Sequence, residues 1–220
     1  MSRGAVRRHP SSPESDAGRG ASVAQVLRGR RVTLRPLEID DFPAWQEVRR
    51  RNHDRLLVWE PRRIPGAPDP VESRDAFAIR CGARQRERQL GTGYGYGIFV
   101  DEDVFAGEIN LSIVQRGPFQ SSYVGYWIDE AQAGKGYTPE ALVCVCRAAF
   151  EDLNLHRVQI SIIPRNHASR RVVEKLDIRD EGTAVRYLEI NGVWEDHIRY
   201  AITAEEWDER GKDLIRDWLE

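Results

Sequence analysis

Apolar positions recur along this chain with two different periods. Val158, Ile160 and Ile162 alternate with Gln159 and Ser161, which predicts a half-buried strand over residues 157–163. Ala168, Val172 and Leu176 recur every four residues, which predicts a helix over 166–176 with those three on one face. Applied from the start of the chain, the same test predicts a short strand at 31–37, closed by its proline. A helix follows, with Asp40 or Asp41 as its cap, Pro43 in its first turn, and Trp45 and Val48 on one face. Residues 60–70 are proline-rich and form a loop, and a second helix covers about 71–86. Strands at 94–100 and 104–114 flank the acidic turn Asp101-Glu102-Asp103. A helix is expected over 139–153, with Pro139 suited to its first turn. Strands at 183–190 and 193–201 flank Asn191-Gly192, a hairpin signal because both turn positions need φ > 0. Residues 205–220 read as a final amphipathic helix. The sum is an α/β protein: a mixed sheet with helices on its faces.

Composition narrows this picture. At 220 residues, 40% of them hydrophobic, the chain can bury the core of one ordinary domain. The first 25 residues are rich in Ser, Gly and Pro and lack apolar periodicity, so they read as a solvated tail. Arg3, Arg7 and Arg8 could belong to a targeting peptide, but Glu14, Asp16 and the missing apolar stretch argue against one. A formal net charge of −2 implies no broad basic surface for nucleic acid. No apolar run reaches the length of a membrane span. Cys81, Cys144 and Cys146 are odd in number, and the last two point to different sides of a predicted helix. That suits neither a disulfide nor a metal site, and a reducing cytoplasm is the simplest setting.

The densest chemistry lies in residues 123–142, YVGYWIDEAQAGKGYTPEAL. They read as a strand, a loop with Gly134 and Gly136, and a helix start. A glycine loop opening a helix leaves backbone N–H groups unpaired around one spot, and the helix dipole favours a phosphate there. Two phosphate motifs fail on particular positions. A P-loop needs Ser or Thr after its Gly-Lys, and here Gly136 follows Lys135. A dinucleotide fingerprint needs a third small residue where Pro139 stands. The glycines of GTGYGYG at 91–97 lead into a strand rather than a helix, so they suit tight packing and not a phosphate.

The strings GYWIDEAQAGKGYTPEAL, NHASRRVVEKLDIRDEG and RYLEINGVWEDHIRYAI, in that order, resemble the GNAT acetyltransferases and, within them, the RimJ/RimL branch. The likeness runs from about Arg31 to about Thr203. It implies a GNAT fold, a mixed twisted sheet splayed at the acyl-CoA site with helices on both faces. It divides the chain into a tail (1–25), a GNAT domain (26–204) and a C-terminal helical extension (205–220). The activity implied is direct transfer of acetyl from acetyl-CoA to a primary amine, without a metal. The acceptor implied is a protein or peptide N-terminal α-amine, a ribosomal protein included. Two alternatives stand beside it: a small amine such as an amino sugar, polyamine or aminoacyl conjugate, and a catalytically silent CoA-binding module.

The resemblance also implies site residues. The family's phosphate loop, Q/R-x-x-G-x-G/A, falls on Ala133, Gly136 and Thr138, so its backbone part survives and its outer positions depart. The expected cofactor contacts are Trp127, Ile128 and Asp129 through main chain, Ala133, Gly134, Lys135, Gly136, Tyr137 and Thr138 in the loop, and Asn166 and Ser169 on the later helix. Arg170 and Arg171 could reach CoA phosphates. Val173 stands where many members carry a tyrosine acid, and Ser169 is the candidate partner of the CoA sulfur. Glu108 shares a strand face with Asn110 and Ser112 and is the candidate base, acting through water. Trp59 after Leu56-Leu57-Val58, Asn110 and Tyr126 are candidates for the acceptor wall. Where the family ends the later helix with Leu-Gly-Phe, this chain has Leu176, Asp177 and Ile178, which puts an aspartate at a left-handed cap.

Overall fold

The computed structural model describes residues 25–220, so the tail read over 1–25 lies, Gln25 apart, outside the described residues. Its strands are β1 (Leu27–Arg28), β2 (Thr33–Arg35), β3 (Tyr94–Val100), β4 (Val104–Gln115), β5 (Ser121–Ile128), β6 (Arg157–Ile162), β7 (Arg179–Ile190) and β8 (Val193–Thr203). They form one sheet in the order β1-β2-β3-β4-β5-β6-β8-β7. Every neighbouring pair is antiparallel except β5 and β6. The helices are α1 (Phe42–Arg51), α2 (His53–Leu57), α3 (Arg74–Leu90), α4 (Tyr137–Arg147), α5 (His167–Lys175) and α6 (Ala204–Leu219).

Strand alternation sorts the core into two layers. Tyr94, Tyr96, Ile98, Ile109, Leu111, Val158, Ile160 and Ile162 face the larger one, where α4 and α6 add Leu142, Val145 and Trp207. Phe99 and Phe105 face the other side and meet Trp45 and Val48 of α1 and Phe77 of α3. Helices therefore cover both faces, as the pattern predicts. Trp207 stacks on Phe150 with centroids 5.4 Å apart, so α6 belongs to the larger core.

Several element ends differ from expectation for local reasons. The first strand shrinks to Thr33–Arg35 because the N–H groups of Arg31 and Val32 donate to the Glu140 carboxylate instead of a ladder. Asp41 sits at the cap of α1 but does not cap it, because its carboxylate is held by Arg35 at 2.8 Å and by the Glu38 N–H. The second helix starts and ends later than expected. Ser73 caps it by accepting from the Ala76 N–H, and Gly91 ends it in the left-handed region at φ 68°. Beyond Arg147 the predicted helix widens into a π turn over Ala148–Asp152, in which the Leu153 N–H reaches the Ala148 carbonyl. In α5 the buried residues are Val173 and Leu176, with Val172 partly buried, while Ala168 is exposed. The hairpin turn follows expectation, with Asn191 at φ 46° and Gly192 at φ 84°.

Asp177 takes the left-handed position at φ 50°. The Ile178 N–H reaches the Val173 carbonyl at 3.0 Å and the Asp177 N–H reaches that of Glu174 at 3.1 Å, the paired bonds of a Schellman end. The Asp177 side chain stands in solvent, with only Arg210 near it at 3.5 Å. Asp177→Gly should therefore leave the melting temperature level or raise it by about 2–4 °C, because glycine takes this conformation freely. Asp177→Val should lower it clearly, since a β-branched residue resists positive φ. Thermal melts of the two variants check both directions.

Candidate active site

β5 and β6 pair only through Ser121↔Arg157, Ser122↔Val158 and Tyr123↔Gln159. Beyond Tyr123 they part, although β5 continues to Ile128 and β6 to Ile162. The sheet is thus split in its middle, and the two strands present backbone groups to the gap. Tyr126 bridges it on the α5 side. Its hydroxyl donates to the Ser169 carbonyl at 3.1 Å, and the Ser169 hydroxyl lies 3.0 Å away as donor to Tyr126 Oη. Burial pushes the Tyr126 hydroxyl far up, so it keeps its proton at all working pH. Asn166 caps α5 by accepting from the Ser169 N–H at 3.1 Å, which leaves its amide nitrogen free to donate elsewhere. Tyr126, Asn166 and Ser169 are thus brought together at one side of the gap.

The glycine loop closes the open end. Gly134 and Gly136 both have positive φ, at 78° and 87°, and a Cβ on Gly134 would meet nothing within 4 Å. Gly136 is the cap residue of α4, and no side chain caps that helix. The N–H groups of its first turn have no carbonyl one turn earlier. Lys135 reaches Gln132 at 2.8 Å, and Tyr137 lies under the Arg31 guanidinium. Thr138 is buried in the first turn.

Two buried carboxylates fix this loop. Glu140 is fully buried, accepts from the N–H groups of Arg31 and Val32, and pairs with Arg31 Nε at 2.9 Å. Arg31 also donates to the Lys135 carbonyl at 3.0 Å. Asp129 pairs with Arg51 and accepts from Asn52 Nδ2 at 2.7 Å. Burial pushes its carboxyl up, but the Arg51 and Asn52 hydrogen bonds outweigh that and hold it below the usual range. The Asp129 N–H already donates to the Ala106 carbonyl at 2.7 Å, while Arg55 donates to the Ile128 carbonyl. Sequence reasoning missed Arg31, Arg51, Asn52, Arg55 and Glu140. One signal was available for Glu140, a glutamate on the helix face that Val143 and Cys144 share.

Glu108 lies on β4 opposite Trp127, on the face that α1 and α3 cover. One oxygen accepts from Trp45 Nε1 at 2.7 Å, and the other is paired with Arg80. Burial pushes this carboxyl up, yet the Arg80 charge and the Trp45 and Arg80 hydrogen bonds prevail and hold it below the usual carboxylate range. Asn110 lies two residues along, its Oδ1 buried and without a partner among the described residues. Both residues line a cavity of about 740 Å³ between α3 and the sheet, on the side of Glu108 away from the gap. Trp127 packs edge-on to Phe105 and carries the Arg49 guanidinium 5.0 Å above its ring.

Over the gap on this same face the chain forms an arch. The Asn191 N–H at the hairpin tip donates to the Glu60 carbonyl at 2.9 Å. Trp59 stands beside it, under Arg165, which pairs with Glu195 at 2.8 Å. Arg170 turns toward Tyr200 and the Pro164 carbonyl. Cys144 and Cys146 take no part: both are buried, because α4 is apolar nearly all round, and burial pushes each thiol up to about 12. No group of His, Cys, Asp or Glu among the described residues is arranged to hold a metal, and no described helix is long and apolar enough to cross a membrane.

A mixed sheet split between its one parallel pair, with a glycine loop at the open end, has the form of an acyltransferase of the GNAT fold. The structure of Mycobacterium smegmatis RimJ in complex with CoA-disulfide superposes with a TM-score of 0.78, at 29% identity, over 90% of this chain and 94% of that one. The chain belongs to the GNAT acetyltransferase family, whose "Acetyltransferase (GNAT) domain" matches residues 31–179. It is 34% identical over 178 residues to "Probable N-acetyltransferase YjcK" of Bacillus subtilis (strain 168), covering 80% of this chain and 96% of that protein. It is 31% identical over 172 residues to the [Ribosomal protein uS5]-alanine N-acetyltransferase of Escherichia coli (strain K12), covering 77% and 87%.

The Glu108 geometry yields a prediction. Glu108→Gln leaves the Arg80 charge without its counter-ion. Breaking a fully buried pair costs about 3–5 kcal/mol; Arg80 keeps 25% of its side chain in water, so a loss of roughly 2–3 kcal/mol is expected. The folded-state pKa of Glu108 is depressed, so its stabilisation is present above the unfolded carboxylate value and is lost as pH falls through the folded one. Urea melts at pH 7 should show the full gap between wild type and Glu108→Gln. Melts below about pH 4 should show it narrowing.

Proposed function

We propose that this N-acetyltransferase moves the acetyl group of acetyl-CoA onto the N-terminal α-amine of a protein or peptide. The observation that carries this is the parting of β5 from β6 beyond Tyr123, which offers extended backbone to an extended ligand. The loop 133–138 would hold the pyrophosphate on its N–H groups, with Lys135 and Arg171 within reach of CoA phosphates. The pantetheine arm would lie along Trp127 and Ile128 in the gap, with the Asn166 amide donating to it. Asp129, whose N–H is already engaged, would serve by anchoring the strand end.

The acceptor amine attacks the thioester carbon as its free base. The new C–N bond forms, the C–S bond breaks, and the electron pair leaves on sulfur. A backbone N–H of β5 stabilises the carbonyl oxygen as it gains charge. Ser169 turns its hydroxyl from Tyr126 toward the sulfur. Tyr126, which keeps its proton, donates rather than titrates. Glu108 was expected to accept the amine's proton through water. Its two oxygens are already engaged by Trp45 and Arg80, so the role proposed for it is to fix β4 against α1 and α3, with the amine's proton passing to solvent. An α-amine makes this workable, since its pKa of about 7.7–8.0 leaves a fraction neutral near pH 7.5, whereas lysine near 10.4 is almost wholly protonated. The alanine acceptor named for the E. coli relative supports the same choice.

Two outcomes are expected. Acetyl-CoA at about 100 times its Kd should stabilise the protein by about 2.7 kcal/mol, and Gly136→Glu should abolish that gain by putting bulk and negative charge in the cradle. Absence of any thermal shift with CoA or acetyl-CoA in the wild type would sink the loop assignment. By mass spectrometry, peptides beginning with Ala or Ser should be acetylated faster than the same peptides with a blocked terminus and an internal lysine. Faster modification of lysine, polyamines or amino sugars would overturn the acceptor class. Tight CoA binding with nothing modified would favour a silent module.

A further inference from the structure

On the arch side of the split sheet, β5, β6 and β8 turn up the residues that alternate with the main core. Val158, Ile160, Ile198 and Tyr200 face that core, so Tyr123, Gln159, Ser161, His197 and Arg199 face the other way. α1 packs on β4 and α3 on β3, so these helices stand over the other half of the sheet. This half is spanned by the arch between Glu60 and Asn191. Its carboxylates are already taken. Glu60 holds Arg49 at 2.6 Å, Glu181 holds Arg157 and Arg179, and Glu195 holds Arg165.

Among the described residues Arg55, Arg62 and Arg199 have no carboxylate here, but Arg55 donates to the Ile128 carbonyl and Arg62 to that of Asn191, whereas no hydrogen bond engages the Arg199 side chain. Arg199 is half-buried and lies opposite Ser161 in register. Its Nε is buried and has no partner among the described residues, and none of the described carboxylates lies within salt-bridge distance. A guanidinium with a desolvated, unused donor is the complement of a carboxylate, which it can grip with two parallel bonds. The position bears on how far that carboxylate stands from the amine. β8 lies two strands from β5; the split widens that beyond two ladder spacings of about 4.8 Å, the long arginine side chain spans part of it, and an extended peptide rises about 3.4 Å per residue.

We propose that Arg199 selects acceptors with an acidic side chain at the second or third residue from the amino end. This rests on the peptide-acceptor reading above and adds a substrate class to it. The selectivity is electrostatic, so it weakens with salt.

The test uses the full chain and matched peptides that begin with Ala and carry Glu or Gln at the third position, or Asp or Asn at the second. Wild type should favour the acidic member of at least one pair by about tenfold in kcat/KM, mostly through KM, with the ratio falling as ionic strength rises. Arg199→Gln should bring that ratio near one by slowing the acidic peptide alone, and Arg199→Lys should restore part of it. Equal use of acidic and neutral peptides by wild type overturns the inference and leaves N-terminal acetylation standing. Equal loss on both peptides in Arg199→Gln overturns it as well, because a structural role would do that. If neither peptide is acetylated while acetyl-CoA still raises the melting temperature, the peptide-acceptor reading falls and this one with it.

Discussion

The loss of pairing between β5 and β6 beyond Tyr123 is the constraint on which the rest of the molecule depends. Opening a sheet in its middle exposes N–H and C=O groups that a continuous ladder would satisfy, and buried backbone of that kind is costly. The structure holds the gap open from two directions. On one face the Tyr126–Ser169 hydroxyl pair ties β5 to α5. On the other the Glu60–Asn191 bond ties the loop after α2 to the β7–β8 hairpin.

Around this opening the polar interior is built from pairs that join distant parts of the chain. Glu140 fastens the first turn of α4 to the start of β2, and Asp129 fastens the end of β5 to α1. Glu108 joins α1, α3 and β4 at one point. Each of these carboxylates is almost fully removed from water. Such pairs add little net stability over apolar packing, but breaking one leaves an uncompensated charge. Their service is positional: they hold the glycine loop and the strand ends at one geometry beside the gap.

What was legible in the sequence follows from range. The strands at 94–100 and 157–163, and the turn at Asn191-Gly192, rest on alternation and turn chemistry within a few residues, and they appear where expected. The left-handed Asp177 was legible for the same reason. Helix ends were less so, because α3 runs on to the glycine that can stop it and α4 widens into a π turn without a breaker. The shared face of α5 holds, but Ala168 at its start is exposed, since a four-residue spacing does not say where the core ends. Asp41 illustrates competition: a residue of the right type at the right place is claimed by Arg35. Least legible were Arg31, Arg51 and Asn52, whose partners lie more than 70 residues away. Glu108 and Asn110 share a face as alternation predicts, but nothing local announced the Trp45–Arg80 clamp on the first of them or the cavity beside both.

The two ties lie on opposite faces of the sheet, and that bears on the order of events in a catalytic cycle. The glycine loop and α5 form the approach on one side, and the arch spans the other. A cosubstrate lodged along the loop and an acceptor lodged beneath the arch would meet only at the gap itself. Either could then arrive first, and either product could depart without the other clearing its path. Kinetics of that kind are random-order, with a ternary complex and no obligatory leading ligand. On the proposed placement the split sheet would act as a partition with a single window, and traffic on its two sides would not need to be synchronised.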